Sequence, residues 1–373
     1  MTGKLIKLED RIIYRDDLYN TFPSIVKKRD GELIVAFRQA PNRLNMFPGG
    51  MHVDPASRGV YVVSRDNGRT WDSKPRHLVD DYCLGISDPC LNVLQDGDLL
   101  ATYFTHQVLL KDDVPELQPH RMERLVAGRW VIRAGPGYTI RSADGGVSWD
   151  EPAAIPAAPV AAYGDRLTEK VSRGHVVEGE DGSLLALMCT RPRQPGRAQL
   201  NVTRDKGLTW ETVSVLPDAE RTVFYEPNLF RTVSGKLVAF LRSVKEGEPK
   251  ERANPLFTCE SYDNGATWTN LTEHPIYTPN PFDVTALQSG NVLLSYGYRH
   301  APYGIRARLL NGECTNIGES EEVILRDDGG GFDLGYTGAV QLDGGHILIV
   351  YYFYDNDQGE RYIAGTLCRE SHS

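Results

Sequence analysis

The chain has 373 residues, of which 40% are hydrophobic and 24% are charged, and its formal net charge is −9. This composition is typical of a globular protein, and the acidic balance argues against a general nucleic-acid binder. The 36 glycines and 22 prolines favour short strands joined by turns over long helices.

The opening stretch, "MTGKLIKLEDRII", lacks the apolar run of a signal peptide, and no later stretch is apolar for long enough to span a membrane. The six cysteines are scattered and form no CxxC pair. We therefore expect reduced thiols, a cytoplasmic location and no membrane partner.

A strand–turn–strand pattern occurs six times along the chain. Each copy is an apolar strand, a turn with glycine and a second apolar strand, as in "FPSIVKKRDGELIVAFR". The turn glycines align in one column, which contains Gly31, Gly97, Gly182, Gly235, Gly290 and Gly345. Because both strands of each copy are apolar throughout, the pattern predicts six hairpins, each buried on both faces.

Each of the first four hairpins is followed by an eight-residue stretch that we call an Asp box. The four boxes read "SRDNGRTW", "SADGGVSW", "TRDKGLTW" and "SYDNGATW", and they contain four of the five tryptophans. Their aspartates, at positions 66, 144, 205 and 263, are separated by 78, 61 and 58 residues. Aspartate can cap the N–H groups of a tight turn, glycine tolerates positive φ, and tryptophan packs beneath the turn. The boxes are predicted to be structural clips, one in each blade.

Hairpins and boxes together predict an all-β fold. We expect a six-bladed β-propeller with four-stranded antiparallel blades, in a single domain over residues 1–373. The strand-like opening "LIKLEDRIIYRDD" is predicted to join the last blade and close the ring. Residues 39–59 and 105–135 interrupt the period. Loops of this length are often functional, and we expect both to form walls of a site on one face.

Ionisable residues stand at the starts of the innermost strands, which crowd around the axis of a propeller. Nine residues before the aligned glycines, the column reads Phe22, Asp88, Arg173, Glu226, Pro281 and Tyr336. Seven residues after them, it reads Arg38, Phe104, Cys189, Arg242, Gly297 and Tyr352. Charged groups at buried strand starts are costly unless they pair or bind a ligand, so the columns predict a converging site at one mouth of the ring.

The Asp boxes on a six-hairpin frame resemble the sialidase superfamily over essentially the whole chain. That family has a glutamate at the start of the fourth blade's inner strand and an arginine at the end of the next strand. These correspond to Glu226 and Arg242 in "EPNLFRTVSGKLVAFLR". The family's tyrosine before the last hairpin corresponds to Tyr336 in "YTGAVQLDGG".

The resemblance offers three further residues and fails at one position. The family's acid/base aspartate precedes the first Asp box, where "HVDPASRG" offers Asp54, and a fifth-blade arginine corresponds to Arg299 or Arg306. Thr21, in "YNTFPSIV", stands where the family has one arginine of its carboxylate clamp. Arg38, at the far end of the same hairpin, is the candidate to replace that arginine. The missing clamp residue puts sialic acid itself in doubt as the substrate.

The resemblance implies a sialidase-like exo-glycoside hydrolase that acts on the terminal acidic sugar of an oligosaccharide. Tyr336 would be the nucleophile, Glu226 would take its proton, and Asp54 would serve as acid and base. A neutral tyrosine avoids the repulsion that a carboxylate nucleophile would meet at an anomeric carbon bearing a carboxylate. The residues predicted to bind substrate are Arg38, Asp88, Arg173, Arg242, Arg299, Arg306, His52 and His175.

The histidines suggest a different class of reaction. His52, His106, His120 and His175 lie in predicted loops or at strand ends that could face the same mouth. A His–Tyr pair acting as acid and base would suit a polysaccharide lyase or a histidine-dependent glycosidase. No two histidines have HxxxH spacing, so neither a metal nor a cofactor is predicted.

Simpler interpretations stay open for the same residues. Tyr336 could be a core tyrosine that donates to a backbone carbonyl, Asp54 a turn former, and Asp88 and Arg173 a pair across the ring. The propeller could also bind carbohydrate without turnover, because the frame alone does not imply activity. The sequence does not indicate an oligomeric state.

Overall fold

The computed structural model describes residues 3–46, 51–118, 121, 123–160, 164, 166–190, 197–356 and 359–371. Strands dominate this part of the chain, and the 3₁₀ helices Met51–Val53 and Lys111–Asp113 have only three residues each. Neither helix in the described ranges has the length or apolar character that crossing a membrane requires.

We number the sheets by the chain order of their innermost strands, and β1 (Lys4–Tyr14) opens the chain. Sheet 1 contains β2 (Tyr19–Lys27), β3 (Leu33–Ala40), β4 (Arg58–Ser64) and β5 (Arg76–Val79). Sheet 2 contains β6 (Gly85–Val93), β7 (Leu99–Leu110), β8 (Arg124–Val126), β9 (Trp130–Ser142) and β10 (Ala153–Ile155). A separate pair contains β11 (Ala158–Val160) and β12 (Arg166–Thr168). Sheet 3 contains β13 (Lys170–Val171), β14 (Val177–Glu178), β15 (Leu184–Thr190), β16 (Ala198–Thr203) and β17 (Glu211–Val215).

The second half of the chain continues the same pattern. Sheet 4 contains β18 (Thr222–Arg231), β19 (Leu237–Lys245), β20 (Pro255–Ser261) and β21 (Thr272–Tyr277). Sheet 5 contains β22 (Phe282–Ala286), β23 (Val292–Tyr298), β24 (Gly304–Leu310) and β25 (Glu322–Arg326). Sheet 6 contains β26 (Gly335–Gln341), β27 (Ile347–Phe353), β28 (Tyr362–Ser371) and the opening strand β1.

The opening strand joins the two ends of the chain within one sheet. β1 pairs antiparallel with β28, from Lys4 opposite Ser371 to Tyr14 opposite Ile363. The prediction that the opening segment joins the last sheet is confirmed. In this pairing, β1 becomes the outermost strand of sheet 6.

The innermost strands surround one central channel with a volume of about 450 Å³. Each of the six sheets contributes lining residues at its inner edge, among them Val26, Asn92, His175, Phe230, Thr285 and Val340. The predicted hairpins are confirmed as the inner strand pairs, and all six aligned glycines have positive φ. Positive φ is readily available to glycine, which explains the column of glycines at these turns.

The hydrophobic core lies between neighbouring sheets. Val35 of sheet 1 shares a buried cluster with Val350 of sheet 6, and Leu187 of sheet 3 shares one with Ala239 of sheet 4. Similar clusters join sheets 1 and 2, 2 and 3, 4 and 5, and 5 and 6. Since every sheet buries both faces against its neighbours, the apolar character of both hairpin strands follows directly.

The Asp boxes are turns closed by their own side chains. In the first box, Asp66 Oδ1 accepts hydrogen bonds from the N–H groups of Arg69 (3.1 Å) and Thr70 (2.8 Å), and Ser64 Oγ accepts one from Gly68 N–H (2.9 Å). The other three boxes repeat the bond from the residue four positions after the aspartate. Each box tryptophan packs against an inter-sheet cluster, and Trp210 is buried against Ile155 of sheet 2. The turn prediction is confirmed.

The segment 105–135 differs from the predicted loop. β7 continues to Leu110 and pairs with β9 back to Trp130, so much of the segment extends the sheet 2 hairpin. The described part of 39–59 is mostly irregular, apart from the ends of β3 and β4 and the 3₁₀ helix.

Acid should weaken the Asp boxes. Hydrogen bonds, chiefly from the Thr70 hydroxyl, lower the pKa of Asp66 to about 2, and Thr209 and Thr267 do the same for Asp205 and Asp263. An unfolded aspartate has a pKa of about 3.9. The boxes therefore contribute stability that is complete above about pH 4 and is lost as the pH falls towards about 2.

We expect the difference in unfolding free energy between the wild type and Asp66→Asn to shrink over this pH range. Urea unfolding at several pH values measures the difference. A constant difference would show that the charge of Asp66 does not stabilise its box.

Candidate active site

Four innermost strands contain the same backbone irregularity near their N-terminal ends. Phe22, Asp88, Glu226 and Tyr336 have φ values of 56°, 50°, 39° and 53°, and the register of each hairpin shifts at that point. Positive φ is uncommon outside glycine and costs about 1–3 kcal/mol. All four residues belong to the column nine positions before the aligned glycines.

The structure brings three of the predicted residues into direct contact. Tyr336 Oη donates to Glu226 and lies 2.9 Å from Oε1 and 3.2 Å from Oε2 of that carboxylate. Arg242 Nη1 donates to Tyr336 Oη at 3.0 Å and also pairs with Glu226 Oε2. Tyr336 and Glu226 are only 5% and 7% exposed. The Tyr336 hydroxyl therefore bonds to a carboxylate, and its interpretation as a core tyrosine bonded to a backbone carbonyl is wrong.

Burial and charge act on Tyr336 in opposing directions. Burial and then the Glu226 carboxylate raise the pKa of Tyr336 above its ordinary value, while Arg242 and Arg299 lower it. Burial disfavours the charged form of Arg242, but Glu226 and Tyr336 outweigh it and raise the Arg242 pKa. The resting site thus holds a neutral phenol, with a carboxylate placed to take its proton and a guanidinium placed to stabilise a developing phenolate.

Two more predicted arginines lie against the Tyr336 ring. The guanidinium carbons of Arg173 and Arg299 are 5.2 Å and 5.4 Å from the ring centroid, within cation–π range. Arg173 donates to the carbonyl of Pro23 at 2.7 Å, and Arg299 donates to Leu334 O at 3.0 Å. The hydrogen bonds of Arg173 thus go to the backbone carbonyls of Pro23, Phe22 and Tyr336.

Arg38 is the predicted replacement for the missing clamp arginine. It is fully buried, lies directly opposite Thr21 in the β2–β3 pair, and donates from Nε to Ile86 O at 3.2 Å. Its Nη1 and Nη2 atoms have no hydrogen-bond partner among the described residues. Burial lowers the pKa of Arg38, although Tyr19, Asp54 and Asp88 oppose this change. Unpaired buried donors are costly, so Arg38 is a natural partner for an anionic ligand.

Asp54 is held by its own loop. Its Oδ2 accepts from Arg43 Nε at 2.7 Å, and its Oδ1 accepts from Ala56 N–H at 2.8 Å. Its carbonyl lies 3.1 Å from His106 Nε2. No hydrogen bond within the described ranges joins Asp54 to Tyr336 or Glu226. The bond to Ala56 is that of a turn former, and the link to the site is the charge of Asp54 near Arg38.

Two other predicted binding residues, Asp88 and His175, lie in different parts of the structure. Asp88 faces the site, where its charge acts on Tyr336 and Arg38. His175 lines the central channel and bonds to Asp283 at 2.9 Å, whereas Tyr336 is not among the channel's lining residues.

Arg306 lies elsewhere, and its assignment is corrected. It is on β24, the third strand of sheet 5, and its Nη atoms donate to the carbonyls of Arg326, Ile305 and Pro302. Of the two fifth-blade candidates, Arg299 is the one beside Tyr336. His120 lies outside the described residues.

A second polar cluster, centred on Asp333, was missed by the sequence analysis. Its carboxylate accepts hydrogen bonds from Tyr352 Oη (2.9 Å), Arg361 Nε (3.1 Å) and Tyr19 Oη, and His52 Nε2 lies 2.7 Å from Oδ1. Burial favours the neutral acid, but His52 and Arg361 together hold the pKa of Asp333 well below its usual range. The only available signals were Tyr352 in the second column and the position of Asp333 three residues before Tyr336.

The Asp333 cluster adjoins the Tyr336 cluster. The His52 ring is 5.1 Å from the Phe22 ring, edge on, and the Phe22 ring is 4.6 Å from the Tyr336 ring. Tyr352 Oη accepts from Arg299 Nη2 at 2.6 Å, and the Arg299 guanidinium lies over the Tyr336 ring, so Arg299 contacts both clusters. Within the described ranges, no group of three or more His, Cys, Asp or Glu side chains is placed to hold a metal ion.

Residues 126–349 match the family of BNR repeat-like domains. The structure is similar to the crystal structure of a protein of unknown function from Dyadobacter fermentans DSM 18053, with a TM-score of 0.86 and 35% sequence identity. That match covers 98% of this chain and 99% of the other. No curated protein matches the sequence.

Two glycoside hydrolases share the fold at low sequence identity. The K499G mutant of NanB sialidase from Streptococcus pneumoniae is 14% identical over 96% of this chain and 70% of that chain, with a TM-score of 0.63. The α-L-arabinanase of Penicillium chrysogenum, in complex with arabinobiose, is 13% identical over 98% of each chain, with a TM-score of 0.65. These likenesses show the all-β fold alone.

The buried pair of Glu226 and Arg242 should be coupled in stability. Removing one partner of a buried ion pair costs about 3–5 kcal/mol, whereas replacing both is often close to neutral. We expect Arg242→Met to lower the free energy of unfolding by that amount and the double variant Glu226→Gln/Arg242→Met to recover most of it. Urea unfolding of the two single variants and the double variant measures the coupling. Additive losses would contradict it.

Proposed function

The chain belongs to the family of BNR repeat-like domains, and from this premise we propose that it is a glycoside hydrolase on a single six-bladed β-propeller domain over residues 1–373. Six sheets of four or five strands among the described residues, with one central channel, support the blade count. A cytoplasmic location is part of the same proposal.

The observation that carries the proposal is the contact of Tyr336 Oη with both Glu226 and Arg242 at the head of the innermost strands. In the proposed reaction, Glu226 takes the phenolic proton as Tyr336 Oη attacks the anomeric carbon, and Arg242 stabilises the developing phenolate. The leaving oxygen takes a proton from an acid. Water then attacks the glycosyl–tyrosine, and Tyr336 leaves and recovers its proton from Glu226. The sequence-based prediction gives the acid/base role to Asp54.

The proposed substrate is an oligosaccharide or glycoside whose terminal sugar carries an acid group. A neutral nucleophile suits such a sugar, because a carboxylate nucleophile would be repelled by the charge beside the anomeric carbon. The unpaired Nη atoms of Arg38 and the charge of Arg299 supply donors for that acid group. With Thr21 in place of the family's clamp arginine, we propose an acidic sugar bound through Arg38.

Removing the Tyr336 hydroxyl should abolish turnover. We expect Tyr336→Phe to lower kcat by about 10³-fold or more on any 4-nitrophenyl glycoside that the wild type cleaves in a panel of acidic and neutral sugars. Tyr351→Phe is the matched control. Tyr351, like Tyr336, is a buried tyrosine, but its hydroxyl lies 2.7 Å from Thr366 Oγ1, away from the site.

Three results would contradict the proposal. Unchanged turnover by Tyr336→Phe would remove the nucleophile assignment. An unsaturated product absorbing in the ultraviolet would identify a lyase. Sugar binding without cleavage by the wild type would identify a carbohydrate-binding propeller.

A further inference from the structure

We propose that His52, held by Asp333, is the residue that protonates the leaving group; this assignment rests on the proposed hydrolase function. The sequence analysis placed His52 among the substrate-binding candidates and among the four histidines of the alternative His–Tyr pair, without choosing one of the four. The structure supplies the two features that a proton donor needs, an orienting partner and an open ring nitrogen.

The orienting partner is the Asp333 carboxylate. It lies 2.7 Å from His52 Nε2 and is itself held by Tyr19, Tyr352 and Arg361. With four donors around it, this carboxylate stays charged and fixed, and it favours the tautomer with the proton on Nε2. The contact orients the imidazole, as an aspartate orients the histidine of a catalytic triad.

The open nitrogen is Nδ1. No side chain or backbone group in the described ranges hydrogen-bonds to it, and the His52 side chain is 37% exposed, whereas that of Asp333 is 9% exposed. The Phe22 ring meets the imidazole edge on at 82° and limits its rotation. Nδ1 can therefore present a proton to a ligand while Nε2–H stays bonded to Asp333.

His52 lies near Tyr336, because both rings contact Phe22. The Phe22 ring centroid is 5.1 Å from that of His52 and 4.6 Å from that of Tyr336. In a retaining glycosidase, the proton donor acts on the same glycosidic bond whose anomeric carbon the nucleophile attacks, so the two groups must be neighbours. The shared contact with Phe22 gives the imidazole and the phenol that proximity.

Asp54 is less suited to the same task. Arg43 and Ala56 N–H occupy both of its carboxylate oxygens, and its side chain is only 4% exposed. Asp54 instead fixes its loop, through Arg43 and through its carbonyl contact with His106.

Every proton given up in the first step is returned in the second, so the protons balance over one turnover. In the first step, the imidazolium gives its Nδ1 proton to the glycosidic oxygen as the C–O bond breaks, and Glu226 holds the phenolic proton. In the second step, neutral Nδ1 takes a proton from the water that attacks the anomeric carbon. Tyr336 leaves and regains its proton from Glu226, so the site returns to its starting state.

Leaving-group dependence tests this assignment. A poor leaving group needs a proton and a good one does not, so the test compares the methyl and 4-nitrophenyl glycosides of an acidic sugar that the wild type cleaves. We expect His52→Gln to lower kcat/KM by about 10²–10⁴-fold on the methyl glycoside and by less than about 10-fold on the 4-nitrophenyl glycoside. Asp333→Asn, which changes only the positioning residue, should give the same pattern at smaller size.

The controls separate the possible failures. His77→Gln changes an exposed histidine on β5 and should leave both substrates unaffected. Asp54→Asn should lower both rates by the same factor. Equal effects of His52→Gln on both substrates, or leaving-group dependence in Asp54→Asn instead, would overturn the His52 assignment while leaving the hydrolase proposal intact. If the wild type cleaves no glycoside, both proposals fall.

Discussion

The site depends on one geometric constraint: six innermost strands must surround a common channel. Four of them contain a residue of positive φ near the N-terminal end, at a cost of about 1–3 kcal/mol each. The hydrophobic clusters between sheets offset this cost, because they fix each hairpin on both faces. The closed arrangement of the sheets brings Glu226 of sheet 4 into contact with Tyr336 of sheet 6.

The second determinant is charge balance in a buried volume. Glu226 is paired with Arg242, and Asp333 with Arg361 and His52, so each of these buried carboxylates has a charged or hydrogen-bonding partner. Both Nη atoms of Arg38, in contrast, have no hydrogen-bond partner among the described residues. Two buried guanidinium donors without partners favour an anionic ligand at that position.

The low-identity relatives show how little the fold decides about the substrate. The same frame holds a bacterial sialidase and a fungal arabinanase, and this chain is about equally distant from both. In this chain, Thr21 pairs with Arg38 across one hairpin, and His52, on the loop that also contains Asp54, contacts Asp333. Because the fold alone does not determine the substrate, the substrate of this chain is argued from individual side chains.

The sequence by itself determined the repeat: six hairpins with glycine turns, four Asp boxes and the two columns that contain Glu226, Arg242 and Tyr336. These features are periodic because every sheet must bury both faces against its neighbours. The same residue types therefore recur at corresponding positions of each hairpin, where they can be recognised in the sequence. The tertiary structure alone decided what the repeat does not encode. Examples are the choice of Arg299 over Arg306, the Asp333 cluster with His52 and Arg361, and the loop bonds that occupy Asp54. Those contacts join residues up to 314 positions apart, as in Tyr19 and Asp333, and depend on how the chain ends and irregular loops fold back over the ring. A local sequence pattern does not encode contacts between residues so far apart in the chain, because these contacts form only when the ring closes.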